Sequence, residues 1–121
     1  MHGKPVSRWA TRAERDGDAD AIRDVVLAAF PTPDEARIVD ELRADRDAWI
    51  DGLSIVTTDA DGTIVGYALY SRCRVDAAPA LTLGPCAVLP SCQRSGAGSA
   101  AIVAGLDVAR AHRENVVVVL G

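Results

Sequence analysis

The residues best suited to chemistry in this chain are Gln93-Arg94-Ser95-Gly96-Ala97-Gly98. They stand between an apolar run, Leu81 to Leu89, and an alanine-rich run that reads as a helix. A glycine-rich turn from strand to helix presents backbone N–H groups where the helix dipole is positive, so it suits a phosphate or pyrophosphate. It can also be a tight turn with no ligand, its glycines supplying positive φ or close packing. Gly96-Ala97-Gly98-Ser99-Ala100-Ala101 satisfies the dinucleotide pattern G-x-G-x-x-A. Pro90 to Ser95, however, separate it from the strand, whereas a dinucleotide fingerprint sits at the strand end. A Walker A loop needs a Gly-Lys-Ser/Thr that is missing here. Cys86 is a second reactive type. As a nucleophile it needs an imidazole, and neither His2 nor His112 has a recognisable spacing to it, while cysteine is also a common buried residue.

Composition narrows the class. The 121 residues are expected to form one domain, 1–121, and 49% hydrophobic with 25% charged residues is globular. Aromatics are only 4%, so Val, Leu, Ile and Ala must build the core. A net charge of -4 argues against a general nucleic-acid binder. Cys73, Cys86 and Cys92 form no C-x-x-C pair and are odd in number, which suits reduced thiols in a cytoplasmic protein. Met1 to Asp18 holds no apolar core of an export signal, no run approaches the ~20 apolar residues of a membrane span, and no metal-ligand motif is seen.

The elements around the turn follow from periodicity. Val6 to Ala13 reads as a strand, and Asp18 as the N-cap of a helix with Ile22, Val25, Val26, Ala29 and Phe30 on one stripe, ended by Pro31. Thr32-Pro33-Asp34-Glu35 starts a second helix, with Thr32 as cap, Pro33 at the first position and Glu35 completing a capping box. Ile38, Val39 and Leu42 form its apolar face. Leu53 to Thr58 and Thr63 to Arg74 read as a hairpin about Asp61-Gly62. In the second strand Ile64, Gly66, Ala68 and Tyr70 share one face, and Val65, Tyr67 and Leu69 the other. Asp76 to Pro79 reads as a loop, and Leu81 to Leu89 as a strand bulged at Gly84-Pro85. A helix then runs to about Arg113, with Ile102, Val103, Leu106 and Ala109 as apolar positions. Val116 to Leu120 reads as a strand buried on both faces and parallel to the previous one. The order is β-α-α-β-β-β-α-β, an α/β (α+β) arrangement with a mixed sheet.

The turn matches Q/R-x-x-G-x-G/A at every specified place, and with this order of elements the chain resembles the GNAT superfamily of N-acetyltransferases. The phrases LGPCAVLPSCQRSGAGSA and VVVVLG look most like its small bacterial branch of predicted N-acetyltransferases. The resemblance implies the acyl-CoA N-acyltransferase fold, acetyl-CoA as acyl donor and an amine of unknown identity as acceptor. It assigns the backbone of Arg94, Ser95, Gly96, Ala97, Gly98 and Ser99, introduced by Gln93, to the pyrophosphate, and gives Arg94 a charge to add. It assigns Cys86, Ala87 and Val88 to the pantetheine arm, their N–H groups doubling as an oxyanion hole.

Direct attack of an amine on the thioester needs a base and an acid. The resemblance places Asp34, Glu35 and Glu41 in the helix region that lines acceptor sites. The candidates for the two roles are Glu35, which also reads as a cap, and Tyr70, which like Tyr67 also reads as core. The family's thiolate-protonating tyrosine, final helix and last two strands would follow Gly121. A shortened, non-catalytic CoA-binding or interaction module is therefore the alternative function. An unpaired edge at Val116–Leu120 leads to the expectation of a homodimer.

Overall fold

The computed structural model describes residues 8–119. His2, the Val6–Ser7 start of the expected first strand and the Leu120 end of the last lie outside the described residues. The elements are β1 (Ala10–Ala13), α1 (Ala19–Ala29), α2 (Asp34–Ala44), β2 (Trp49–Thr58), β3 (Ile64–Val75), β4 (Ala78–Val88), α3 (Ala97–Ala111) and β5 (Val117–Val119). A single 3-10 turn, Pro90–Cys92, links β4 to α3. The sheet runs β1-β2-β3-β4-β5, antiparallel through β4, with β5 parallel to β4. The expected order and mixed sheet are both present.

Two cores lie on opposite faces of this sheet. One packs Ile22, Val25 and Val26 of α1 and Ala36 and Val39 of α2 on Val56, Tyr67, Leu69 and Ala87. The other packs Ala101 and Ala109 of α3 on Leu53, Ile55, Ala68, Tyr70, Leu81 and Leu83. Tyr67 and Tyr70 therefore face opposite ways, as alternation requires. Ile64 departs from its expected face and joins Tyr67 and Leu69, because pairing shifts between Thr57 and Thr58 and inserts Val65.

Three local expectations are corrected. Asp18 occupies the cap position of α1, its carbonyl accepting the Ile22 N–H at 2.9 Å, but its side chain does not cap. The carboxylate instead accepts from Arg12 at 2.6 and 3.2 Å and from the Arg15 N–H at 2.7 Å. The capping box at α2 does not form. Asp34 is the first helical residue, so Glu35 stands second rather than third and cannot reach back, while Thr32 Oγ1 is 3.4 Å from the Asp34 N–H. The expected Asp76–Pro79 loop is only a two-residue turn. Asp76 and Ala77 hold φ of 49° and 68°, the two positive values of a tight hairpin, and Val75 already pairs with Ala78.

The stripe that α3 buries is Ala97, Ala101, Gly105 and Ala109, not its larger residues; Val103 is exposed. The reason lies on the sheet, where Tyr70 fills the space. A Cβ on Gly105 would lie 2.1 Å from Tyr70 Cε2, and the Tyr70 hydroxyl donates to the Ile102 carbonyl at 2.6 Å. The expectation that the last strand is buried on both faces is also corrected. Among the described residues β5 pairs only with β4, and Val119 is 66% exposed.

Ion pairs close the ends of these elements. Arg43 at the end of α2 binds Glu14, whose carboxylate also accepts from Ser54 Oγ at 2.7 Å, and Ser54 Oγ lies 2.7 Å from the Tyr67 hydroxyl. The Arg43 guanidinium sits 4.7 Å from the centroid of the Trp49 ring. Arg72 of β3 grips Glu114, before β5, with two bonds of 2.8 Å.

Two outcomes follow for stability. Gly105→Ala should destabilise the fold by about 1–3 kcal/mol in urea titrations, although alanine is the better helix former by about 1 kcal/mol. Its hydrogen bond to Arg72 holds the Glu114 carboxyl below the usual carboxylate range. A depressed folded-state pKa stabilises above the unfolded value and loses that contribution as pH falls through the folded one. Glu114→Gln should therefore cost about 1 kcal/mol at pH 7. Its melting curve should converge on the wild-type curve as pH falls below the usual carboxylate range.

Candidate active site

The site begins beyond the last described pair of β4 and β5. Their parallel pairing covers Leu81–Val117, Thr82–Val118 and Leu83–Val119. Gly84 and Pro85 then form a bulge against β3, since Leu83 pairs with Tyr70 and Cys86 with Ala68. Proline has no N–H to give a ladder, so the strand bends here as the sequence leads one to expect. Beyond the bulge β4 keeps β3 on one side and has no strand on the other among the described residues.

The ladder shows which groups are left over. Leu89 donates its N–H to the Val65 carbonyl at 2.9 Å, so alternation makes Ala87 the next residue to bond β3, opposite Tyr67. Cys86 and Val88 turn their N–H and C=O groups toward the open side. Gln93 Nε2 approaches the Val88 carbonyl from that side at 3.4 Å. Of the three residues that the resemblance assigns to a cofactor arm, Cys86 and Val88 thus offer backbone groups, and Ala87 offers only its buried methyl.

At one end of this edge stands the glycine turn. Gly96 is left-handed at φ +87°, in open space, and its carbonyl accepts the first helical bond, from Ala100 at 2.9 Å. The N–H groups of Ala97, Gly98 and Ser99 precede that bond and lack intrahelical partners. Gly98 is needed for packing: a Cβ there would lie 2.9 Å from Val88 Cγ2. Gly66 does the same from the sheet, where a Cβ would come within 3.5 Å of the Ala97 carbonyl that Thr57 Oγ1 bonds at 2.8 Å. Gln93, Arg94 and Ser99 are exposed, and Arg94 has φ +61°. The Ser95 hydroxyl donates to the Cys92 carbonyl.

At the other end a cavity of about 750 Å³ opens between α1, α2, β4 and α3. Phe30, Ile38, Leu42, Leu83 and Pro85 give it apolar walls. Glu35 lines it too, and the carboxylate oxygen Oε2 is buried with no hydrogen-bond partner. A smaller cavity of about 260 Å³ runs from Cys86 past Val88 to Gln93, and Cys86 lines both. The open strand edge therefore joins the glycine turn to the Glu35 cavity. Without the capping box, Glu35, one of the two candidates for acid or base, lines the cavity.

The other candidates fall into place around this cleft. Tyr70 is fully buried with its hydroxyl bonded to Ile102, and burial pushes its pKa up to about 12. Burial also raises the Cys86 thiol, the wrong direction for a thiolate nucleophile. Asp34 pairs with Arg37 at 2.9 Å on the surface. The three cysteines are free. Among the described residues no cluster is suited to a metal, and no helix is long and apolar enough to cross a membrane.

A mixed sheet whose last two strands are parallel, a glycine turn at the start of α3 and a cleft along the open edge of β4 define an acyl-CoA N-acyltransferase fold. The chain belongs to the acetyltransferase (GNAT) family, whose model matches residues 19–120. Among solved structures, a GNAT family N-acetyltransferase from Escherichia coli, YhbS, in complex with CoA is 28% identical. It has a TM-score of 0.86, over 100% of this chain and 67% of that one. A GNAT family acetyltransferase from Brucella melitensis in complex with acetyl-CoA is 34% identical, with a TM-score of 0.83 over 93% of this chain and 75% of that one. AAC(6')-Iy, in complex with the bisubstrate analogue CoA-S-monomethyl-acetylneamine, shares the fold at 21% identity and a TM-score of 0.69, over 95% of this chain and 80% of that one. No curated protein matches the chain.

Proposed function

We propose that this protein transfers an acetyl group from acetyl-CoA to an amine, with Glu35 as the base that deprotonates the acceptor. The observation that carries the proposal is the buried, unpartnered carboxylate oxygen of Glu35 in a cavity continuous with the open edge of β4. Acetyl-CoA supplies a thioester, whose carbonyl carbon an uncharged amine can attack.

This chain's residues would divide the work along the cleft. The N–H groups of Gly96 to Ser99 hold the pyrophosphate, with the guanidinium of Arg94 beside them. The outward backbone groups of Val88 pair with the amides of the pantetheine arm as a neighbouring strand would. The outward N–H of Cys86 lies further along the same edge, suited to polarise the acetyl carbonyl. Glu35 attracts the acceptor's ammonium, takes one of its protons and leaves a nucleophilic nitrogen; as the new C–N bond forms the C–S bond breaks, and the second proton that the nitrogen loses goes to the departing CoA thiolate. Arg72, the one basic side chain on the cavity wall among the described residues, is committed to Glu114, and the Cys86 thiol is held neutral by burial, so the lining leaves the Glu35 carboxylate for the ammonium. Tyr70 has a structural part here, since its hydroxyl is spent on α3.

Two variants separate binding from chemistry. Gly96→Glu places a bulky anion on a left-handed residue; the space is open and the backbone strain is about 1–2 kcal/mol, so the fold should survive while CoA binding, measured by calorimetry with NAD as control, is lost. Glu35→Gln should keep CoA affinity within about twofold and lower kcat by about 10²-fold or more in a thiol-release assay over an amine panel. Wild-type protein that binds no CoA would overturn the proposal. Full activity in Glu35→Gln would remove Glu35 from it.

A further inference from the structure

We propose that Trp9 is a positioning residue for the pyrophosphate turn, fixing the direction of the Gly96 N–H through a hydrogen bond to the carbonyl before it. The proposal rests on the reading of the turn as a CoA site. Trp9 stands just ahead of β1, 86 residues from the turn, and its indole Nε1–H donates to the Ser95 carbonyl at 2.8 Å. In a planar trans peptide the carbonyl of one residue and the N–H of the next point in opposite directions. Anchoring the Ser95 oxygen on Trp9 therefore turns the Gly96 N–H away from Trp9 and toward the exposed side of the turn.

The backbone alone does not secure that orientation. Gly96 has no Cβ and accepts either sign of φ, so rotation of the 95–96 peptide meets little steric resistance. Rotated, the peptide would present a carbonyl oxygen where an anion must sit, replacing attraction by repulsion. The flanking groups are already held: Ser95 Oγ by the Cys92 carbonyl, and the Ala97 carbonyl by buried Thr57. The 95–96 peptide lies between these anchors, and Trp9 holds it. Arg8 stacks on the Trp9 ring, 4.9 Å from its centroid.

The test compares two donors that differ in the part the turn would bind. Trp9→Phe keeps a ring and deletes the N–H. CoA affinity by calorimetry should weaken about 2- to 10-fold, the worth of one hydrogen bond. Affinity for S-acetylpantetheine, which has no pyrophosphate, should not change. An unchanged CoA affinity, or equal losses for both compounds, would overturn the role of Trp9 while leaving the CoA site in place. Wild-type protein that fails to bind CoA would overturn the underlying reading instead. A second measurement needs no variant. Coupling is reciprocal, so CoA must strengthen the Trp9–Ser95 bond if that bond favours CoA. Solvent exchange of the Trp9 indole N–H, followed by NMR with Trp49 as internal reference, should slow when CoA is added. Exchange that is the same with and without CoA would sink the proposal.

Discussion

The bulge at Gly84-Pro85 in β4 is the constraint on which the rest depends. A sheet normally satisfies its backbone by continuing its ladders, and here a glycine and a proline shift the register of β4 against β3. Beyond the bulge the outward peptide groups of Cys86 and Val88 have no strand beside them among the described residues. An unpaired edge inside a fold is costly unless something else bonds to it. The cleft, its open strand edge and the approach from the turn to the Glu35 cavity all descend from those few residues.

The open edge must also be held in place. The first turn of α3 lies close on β4 because Gly98 carries no side chain to meet Val88, and Thr57 of β2 bonds the Ala97 carbonyl. On the opposite face α2 is moored at its far end through Arg43, Glu14, Ser54 and Tyr67. Its near end, where Glu35 stands, is therefore attached to a rigid lever while remaining free of local hydrogen bonds at Oε2. A partly buried polar network far from the cavity thus sets where the carboxylate lies.

The order of elements and the sheet were legible in the sequence because helix and strand periods were strong and the turn residues were informative. The bulge at Gly84-Pro85 and the glycine turn were legible for the same reason. Glu35 was harder to read. Thr32-Pro33-Asp34-Glu35 has the spacing of a capping box, and only the start of the helix at Asp34 shows that the side chain is released to the cavity. The faces of β3 were misread at Ile64 because a bulge leaves no mark in a run of β-branched residues. The choice between Ala87 and Val88 depends on which residues bond β3, a property of register and not of residue type. Trp9 was invisible, since no local pattern ties it to a turn 86 residues away.

The small-residue stripe of α3 has one more consequence. The helix lies close on the sheet through Ala97, Ala101, Gly105 and Ala109, while Val103 looks outward. The two sides therefore meet different physical limits. On the inner side size is limited and the stripe is buried, so small apolar residues fit. On the outer side, at Val103, a polar residue meets solvent. A change of partner or solubility can be written on the outer face without disturbing the turn at the helix's start, which makes α3 the natural place to graft a tag, a crosslinker or a new contact.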